Sequence, residues 1–189
     1  MFTLPVQVAA VMREFEPGWS VAGGWAIDLF LEKETRAHQD IEVAVFRKDQ
    51  LALHDYFAGW LLQKIVKGEQ VVWERDEWLG LPTHEIHCFN ETGHPPRIEV
   101  LLNESNENEW LYRRDQLVRR ALAKVQLESS AGVKFLCPEI VLLYKSKNPR
   151  AKDEQDFQSV VRCLGAEPRK WLKDAIKVCA SEHHWLRSL

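Results

Sequence analysis

No stretch of this chain approaches the roughly 20 uninterrupted apolar residues that a membrane-spanning helix requires, so an integral helical membrane protein is excluded. Neither G-x-x-x-x-G-K-[ST] nor G-x-G-x-x-G occurs, which leaves a P-loop NTPase or a Rossmann dehydrogenase without support. No C-x-x-C pair is formed by Cys88, Cys137, Cys163 and Cys179, and the apolar content calls for no disulfide staples. The four are expected to be reduced, mostly buried thiols. Positive charge is not in excess. With 25 Lys+Arg against 28 Asp+Glu the net charge is −3, which disfavours a dedicated nucleic-acid binder. The first residues lack a basic leader region and carry Arg13 and Glu14, so no secretory signal is expected and the cytoplasm is the expected location. Gly/Ser linkers, repeats and low-complexity tracts are missing as well.

What is present suits one domain, or a core with a small appendage: 189 residues, 46% of them hydrophobic, with eight tryptophans expected in the core or a cleft wall. Val8, Val11, Met12 and Phe15 share a helical face, and Trp19–Ala22 reads as a short strand broken by Gly23-Gly24. A helix follows to Leu31, then a polar loop over 32–39. Residues 40–46 alternate, with Ile41, Val43 and Val45 on one side and Asp40, Glu42, Ala44 and Phe46 on the other. A helix carrying Leu53, Tyr56, Phe57 and Trp60 comes next, and strands are expected over 61–67, 70–75, 84–89 and 97–102. Helices are expected over 138–146, 152–164 and 168–180. The fold class is therefore α/β (α+β): a mixed core over 1–130, and a helical C-terminal part over 131–189 packed on it.

Two glycines between a strand and a helix let the backbone turn sharply and come close to a ligand. The free N–H groups of the helix that follows favour a phosphate there. Asp40 and Glu42, two apart on a strand, face the same side with Cα atoms ~7 Å apart. Such a pair repels unless a cation lies between them, and partly hydrated Mg²⁺ with oxygen ligands fits best. Taken alone, such a pair most often decorates a solvent-facing strand edge, and the Gly-Gly turn at this spacing reverses the balance. Arg36, in the loop before Asp40, can reach phosphate oxygens bidentately, and the His38 imidazole can orient a carboxylate or phosphate.

The stretch GGWAIDLFLEKETRAHQDIEVAVFRKDQ (residues 23–50) resembles the signature of the nucleotidyltransferase superfamily, in its aminoglycoside 2″-adenylyltransferase-like branch. That branch shows a GGWAID core followed by a T-R-x-H-x-D-I-D-like segment, here ending Asp40-Ile41-Glu42. The resemblance implies a mixed β-sheet flanked by helices and followed by a helical C-terminal part. It implies an enzyme that moves a nucleoside monophosphate from ATP, or another nucleoside triphosphate, to an acceptor hydroxyl. Gly23, Gly24 and Trp25 fall in the nucleotide-binding core, with Arg36 and His38 beside them. Mg²⁺ would be held by Asp40 and Glu42, with Glu99 on a later strand as third ligand or general base. Lys145 and Lys152 match a helical region where a lysine approaches the phosphates. The family usually carries D-x-D, so Glu42 is one methylene longer than the pattern.

The acceptor expected from this branch is an aminoglycoside-like small molecule, in a cleft with acidic and tryptophan walls such as Trp110 would supply. Two alternatives stand beside it: a toxin-like enzyme modifying RNA or protein, and a nucleotide-binding module without catalysis. Glu104, Glu107 and Glu109 read as a solvated acidic face, balanced by solvated Arg113, Arg114, Arg119 and Arg120. His84 and His87, three apart on a strand, should face opposite ways and share no metal. No membrane partner is expected, and the sequence sets no oligomeric state.

Overall fold

The rows of the sheet alternate apolar and polar, and that alternation places the site. The computed structural model describes residues 2–189. Strand β1 (Trp19–Val21) runs antiparallel to β2 (Glu42–Phe46), which lies parallel to β6 (Arg97–Ser105); β5 (Glu85–Phe89) pairs antiparallel on the far side of β6. One row across these strands, Ile86, Val100, Val43 and Val21, is completely buried. The neighbouring row on the opposite face is His87, Glu99 and Glu42. Side chains alternate along each strand, so the apolar row holds the core while the polar row faces the other way.

The sheet continues outward through β3 (Leu61–Val66) to the edge strand β4 (Glu69–Val72). On its other flank β10 (Lys134–Leu136) lies parallel to β1, and β9 (Gln126–Glu128) closes that edge. The far end of β6 pairs with β7 (Glu109–Leu111), which pairs with β8 (Arg119–Ala121). All four residues of β4 are exposed, Val71 and Val72 among them. Helix α1 (Thr3–Val11) is tied to α3 (Gln50–Tyr56), because the Tyr56 hydroxyl donates to the Val11 carbonyl at 2.6 Å.

Helix α2 (Gly23–Leu31) leaves β1 directly, and a loop returns the chain to β2. After β10 come α4 (Pro138–Ser146), α5 (Ala151–Val161) and α6 (Ala166–Cys179). Pro138 opens α4 in the first turn, where its missing N–H costs nothing. Arg120 joins these parts. Its guanidinium donates to Glu139 of α4 at 2.5 Å and to Glu167 of α6 at 3.1 Å, and lies 4.8 Å from the Trp171 ring centroid. Phe157 of α5 stacks on Trp185 at 4.1 Å.

Several expectations change. The division expected at 130/131 falls inside the β9–β10 hairpin, and the sheet runs to Leu136. β6 extends to Ser105, so Glu104 lies on a strand and pairs with the buried Arg47 at 2.7 Å instead of facing solvent. Arg120 is buried, and Arg114 donates to the Tyr144 carbonyl at 2.9 Å, so only part of the arginine group is a solvated face. Cys88 and Cys137 are buried, but Cys163 and Cys179 are exposed. Short strands such as β8 and β10, three residues each, carry too few positions for a period to show.

Candidate active site

A cleft of about 790 Å³ opens between the polar row of the sheet, the start of α2, and helices α4 and α5. Gly23, Gly24, Arg36, His38, Asp40, Glu42, Glu99, Lys145 and Lys152 all line it. These residues span more than a hundred positions of sequence, and the strand register and helix packing bring them together.

The glycines are forced by contact. Gly23 has φ +58°, a left-handed conformation costly for other residues, and a Cβ there would sit 1.5 Å from Glu42 Oε2. A Cβ on Gly24 would meet Arg36 Nη2 at 2.3 Å and the His38 ring at 2.6 Å. The turn therefore keeps the start of α2 open while the acidic and basic side chains close around it.

The acidic side consists of Asp40, Glu42 and Glu99, with Glu85 beside them. Asp40 precedes β2 and is exposed, which differs from the strand position expected; its backbone is pinned by Trp25 Nε1, donating to the Asp40 carbonyl at 3.0 Å. The Glu42 carboxyl is pushed up to about 7, chiefly by burial, with Lys145 pulling it down and Asp40 and Glu99 pushing it up. Glu99 is likewise raised, first by burial and then by Asp40, against the pull of Arg97 with which it is ion-paired. Carboxylates crowded together in this way make a place for a cation. Their oxygen donors are the kind Mg²⁺ takes.

The basic side is more committed. Lys145 bridges Asp153 at 2.9 Å and Asp156 at 3.0 Å. The Arg36 fork grips Asp156 at 3.2 and 3.3 Å, so Arg36 fastens the loop before β2 to α5. Burial acts to raise Asp153, but hydrogen bonds from Arg150 and Lys145 outweigh it and hold the carboxyl well below its usual range. Lys147 and Lys152 are exposed at the cleft and have no ion-pair partner among the described residues, and Arg113 lies over the Tyr144 ring at 5.3 Å.

Trp25 does not line the cleft. It is buried beneath His38, ring centroids 4.3 Å apart, where it supports the loop. Trp110 is likewise no cleft wall: it is fully buried, its Nε1 donating to Asn103 at 2.9 Å. Asp28 was not singled out by sequence, though a carboxylate inside the apolar run GGWAIDLFL was the available signal. It is fully buried, accepts from the Thr35 backbone and hydroxyl at 3.1 and 2.6 Å, and meets His38 Nε2 at 2.6 Å. Asp153 and Asp156, which stand in the same family-like segment as Lys145 and Lys152, organise the cations.

Residues 5–91, just under half of the chain, match the family model described as aminoglycoside-2″-adenylyltransferase. No curated protein sequence matches the chain. Among solved structures, the antibiotic-resistance factor ANT(2″)-Ia in solution is 18% identical with TM-score 0.60, covering 97% of this chain and 95% of that one. A crystal structure of ANT(2″)-Ia in complex with adenylyl-2″-tobramycin is 18% identical with TM-score 0.56, covering 94% and 97%. The lincosamide antibiotic adenylyltransferase LnuA, lincomycin-bound, is 14% identical with TM-score 0.56, covering 82% and 92%. The chain has the fold of these adenylyltransferases, and its first half resembles the aminoglycoside 2″-adenylyltransferase branch in sequence.

Proposed function

We propose that this chain, an adenylyltransferase-like enzyme by sequence resemblance and fold, moves the AMP unit of ATP to a hydroxyl of a small antibiotic-like acceptor. The observation that carries the reading is that the Gly23-Gly24 turn, the three carboxylates and the cations of α4 and α5 share one cleft.

In this reading the triphosphate lies against the start of α2, where unpaired N–H groups and the helix dipole favour negative charge. Lys145, Lys147 and Lys152 face it from the opposite wall. Arg36 and His38 hold the loop that presents Asp40. Asp40, Glu42 and Glu99 would hold Mg²⁺, which when bound neutralises charge on the transferred phosphorus and the pyrophosphate leaving group. Glu99, which lines the same cleft, would take the proton from the attacking hydroxyl. The hydroxyl oxygen forms a bond to the α-phosphorus, and the bond to the departing pyrophosphate breaks in line with it.

The test is pyrophosphate release from ATP and Mg²⁺ with a panel of aminoglycoside and lincosamide acceptors, then with RNA and protein acceptors. Wild-type protein is expected to release pyrophosphate with a small acceptor. Asp40→Ala should lose about 10²–10³-fold, the order expected when a charge-stabilising group is removed, with an unchanged thermal midpoint. Asp40 is exposed, and the hydrogen bond it accepts from Trp25 Nε1 falls on its backbone carbonyl, which alanine keeps. Release only with RNA or protein would move the acceptor class. Nucleotide binding without release from any acceptor would support the non-catalytic alternative, and an unfolded mutant would make Asp40 structural.

A further inference from the structure

At the acidic end of the cleft, Glu99 has two neighbours, Glu85 and His87, that the reading above does not use. His87 on β5 is buried, at 6% exposed, and is in register with Glu99 on β6. Glu85, two residues earlier on β5, shares its face. His87 Nε2 lies 2.8 Å from Glu85 Oε1 and 3.9 Å from Glu99 Oε1, and one ligand atom from each of the three lies within 4.8 Å of the others. It is the one such cluster among the described residues. We propose that Glu85, His87 and Glu99 form a binding site for a divalent first-row transition-metal ion of the zinc or manganese kind.

Four observations carry this. The three donors sit on adjacent paired strands, so little backbone entropy is lost in assembling them. Bonds of ~2.1 Å to a tetrahedral ion put ligand atoms ~3.4 Å apart, so closure needs side-chain movements of about 1 Å. The other His87 nitrogen is served: the Gln70 side-chain amide lies 3.1 Å from Nδ1, and turned over it would accept an Nδ1–H, leaving Nε2 for the metal. The fourth is the donor set itself. An imidazole with two carboxylates suits zinc or manganese, whereas Mg²⁺ prefers oxygen alone.

Arg97 sets a positive charge against this cluster. It is ion-paired with Glu99, and its Nη2 lies 3.4 Å from His87 Nδ1. Its side chain is 43% exposed and has the Phe89 ring 5.7 Å away, so it can leave toward solvent. Entry of an ion exchanges one cation for another in a crowded acidic pocket.

The proposal shares Glu99 with the nucleotide reading but does not rest on transfer, so it is tested without nucleotide. Mn²⁺ is added to the full chain, and its coordination is read by pulsed electron paramagnetic resonance, with Zn²⁺ as competitor. A ¹⁴N coupling from a bound imidazole is expected, together with its loss and at least a tenfold weaker affinity in His87→Gln. Arg97→Met should bind Mn²⁺ at least several-fold more tightly, which a purely structural cluster would not do. Thermal midpoints of both variants verify folding. Mn²⁺ bound without ¹⁴N coupling, or an affinity unmoved by both substitutions, overturns the site. Failure of ATP turnover alongside a retained ¹⁴N signal would overturn the nucleotidyl-transfer reading and leave this one standing.

Discussion

Glu42 is where a single methylene has consequences for its neighbours. Its carboxylate reaches over Gly23, occupying the space a Cβ would take. A shorter aspartate would withdraw from that contact and from the start of α2. The missing side chain at 23 and the longer arm at 42 thus fit each other. Glu42→Asp is therefore expected to lower the rate of pyrophosphate release by about 10²-fold, the scale on which a misplacement of ~1 Å acts. Steady-state kinetics with ATP and a responsive acceptor measures this. An unchanged or increased rate would mean that the site is not built around the longer arm. The D-x-E spacing and the Gly-Gly turn were visible along the chain because each is local. The facing of Glu99 onto Glu42 required the parallel register of β2 and β6, which no local pattern encodes.

One buried cation, Arg120, ties β8 to both α4 and α6, beside the bond that Trp171 Nε1 donates to the Arg119 carbonyl, and its burial makes that link vulnerable. Arg120 and Glu139 have side chains only 5% and 3% exposed. Glu139→Ala would leave the guanidinium buried with one remaining partner carboxylate, Glu167, which is itself 57% exposed. Removing one member of a buried pair typically costs about 3–5 kcal/mol, so the denaturant midpoint should fall steeply while the slope stays constant. A loss under ~1 kcal/mol would show that Glu167 and water compensate. Periodicity revealed the three C-terminal helices because apolar stripes such as Leu172, Ala175 and Ile176 repeat at 3.6 residues. It could not reveal Arg120. A charged residue beside Arg119 in a charged segment looks solvated until the glutamates it meets, 19 and 47 positions onward, are placed.

On the scale of the whole molecule, Asp153 and Asp156 connect the loop before β2, α4 and α5 through Arg36, Lys145 and Arg150. The folded chain holds the Asp153 carboxyl below its unfolded value. Its contribution to stability is therefore complete above about pH 4, near the ordinary aspartate value, and is lost as pH falls below that. Thermal midpoints measured downward from pH 5 should fall more steeply in wild type than in Asp153→Asn, which has already lost the charge at every pH. Parallel curves would exclude Asp153 as a determinant of acid stability.

The open side of β4 has a different kind of consequence. Its outer backbone groups have no partner strand among the described residues, and Val71 and Val72 are 41% and 47% exposed. An edge of this kind can template another chain, and charged residues are the usual defence. Here Glu69 is the one charged side chain on the strand. As concentration rises, copies therefore have an adhesive border along which to queue, and how long a stock stays clear depends on a margin far from the chemistry.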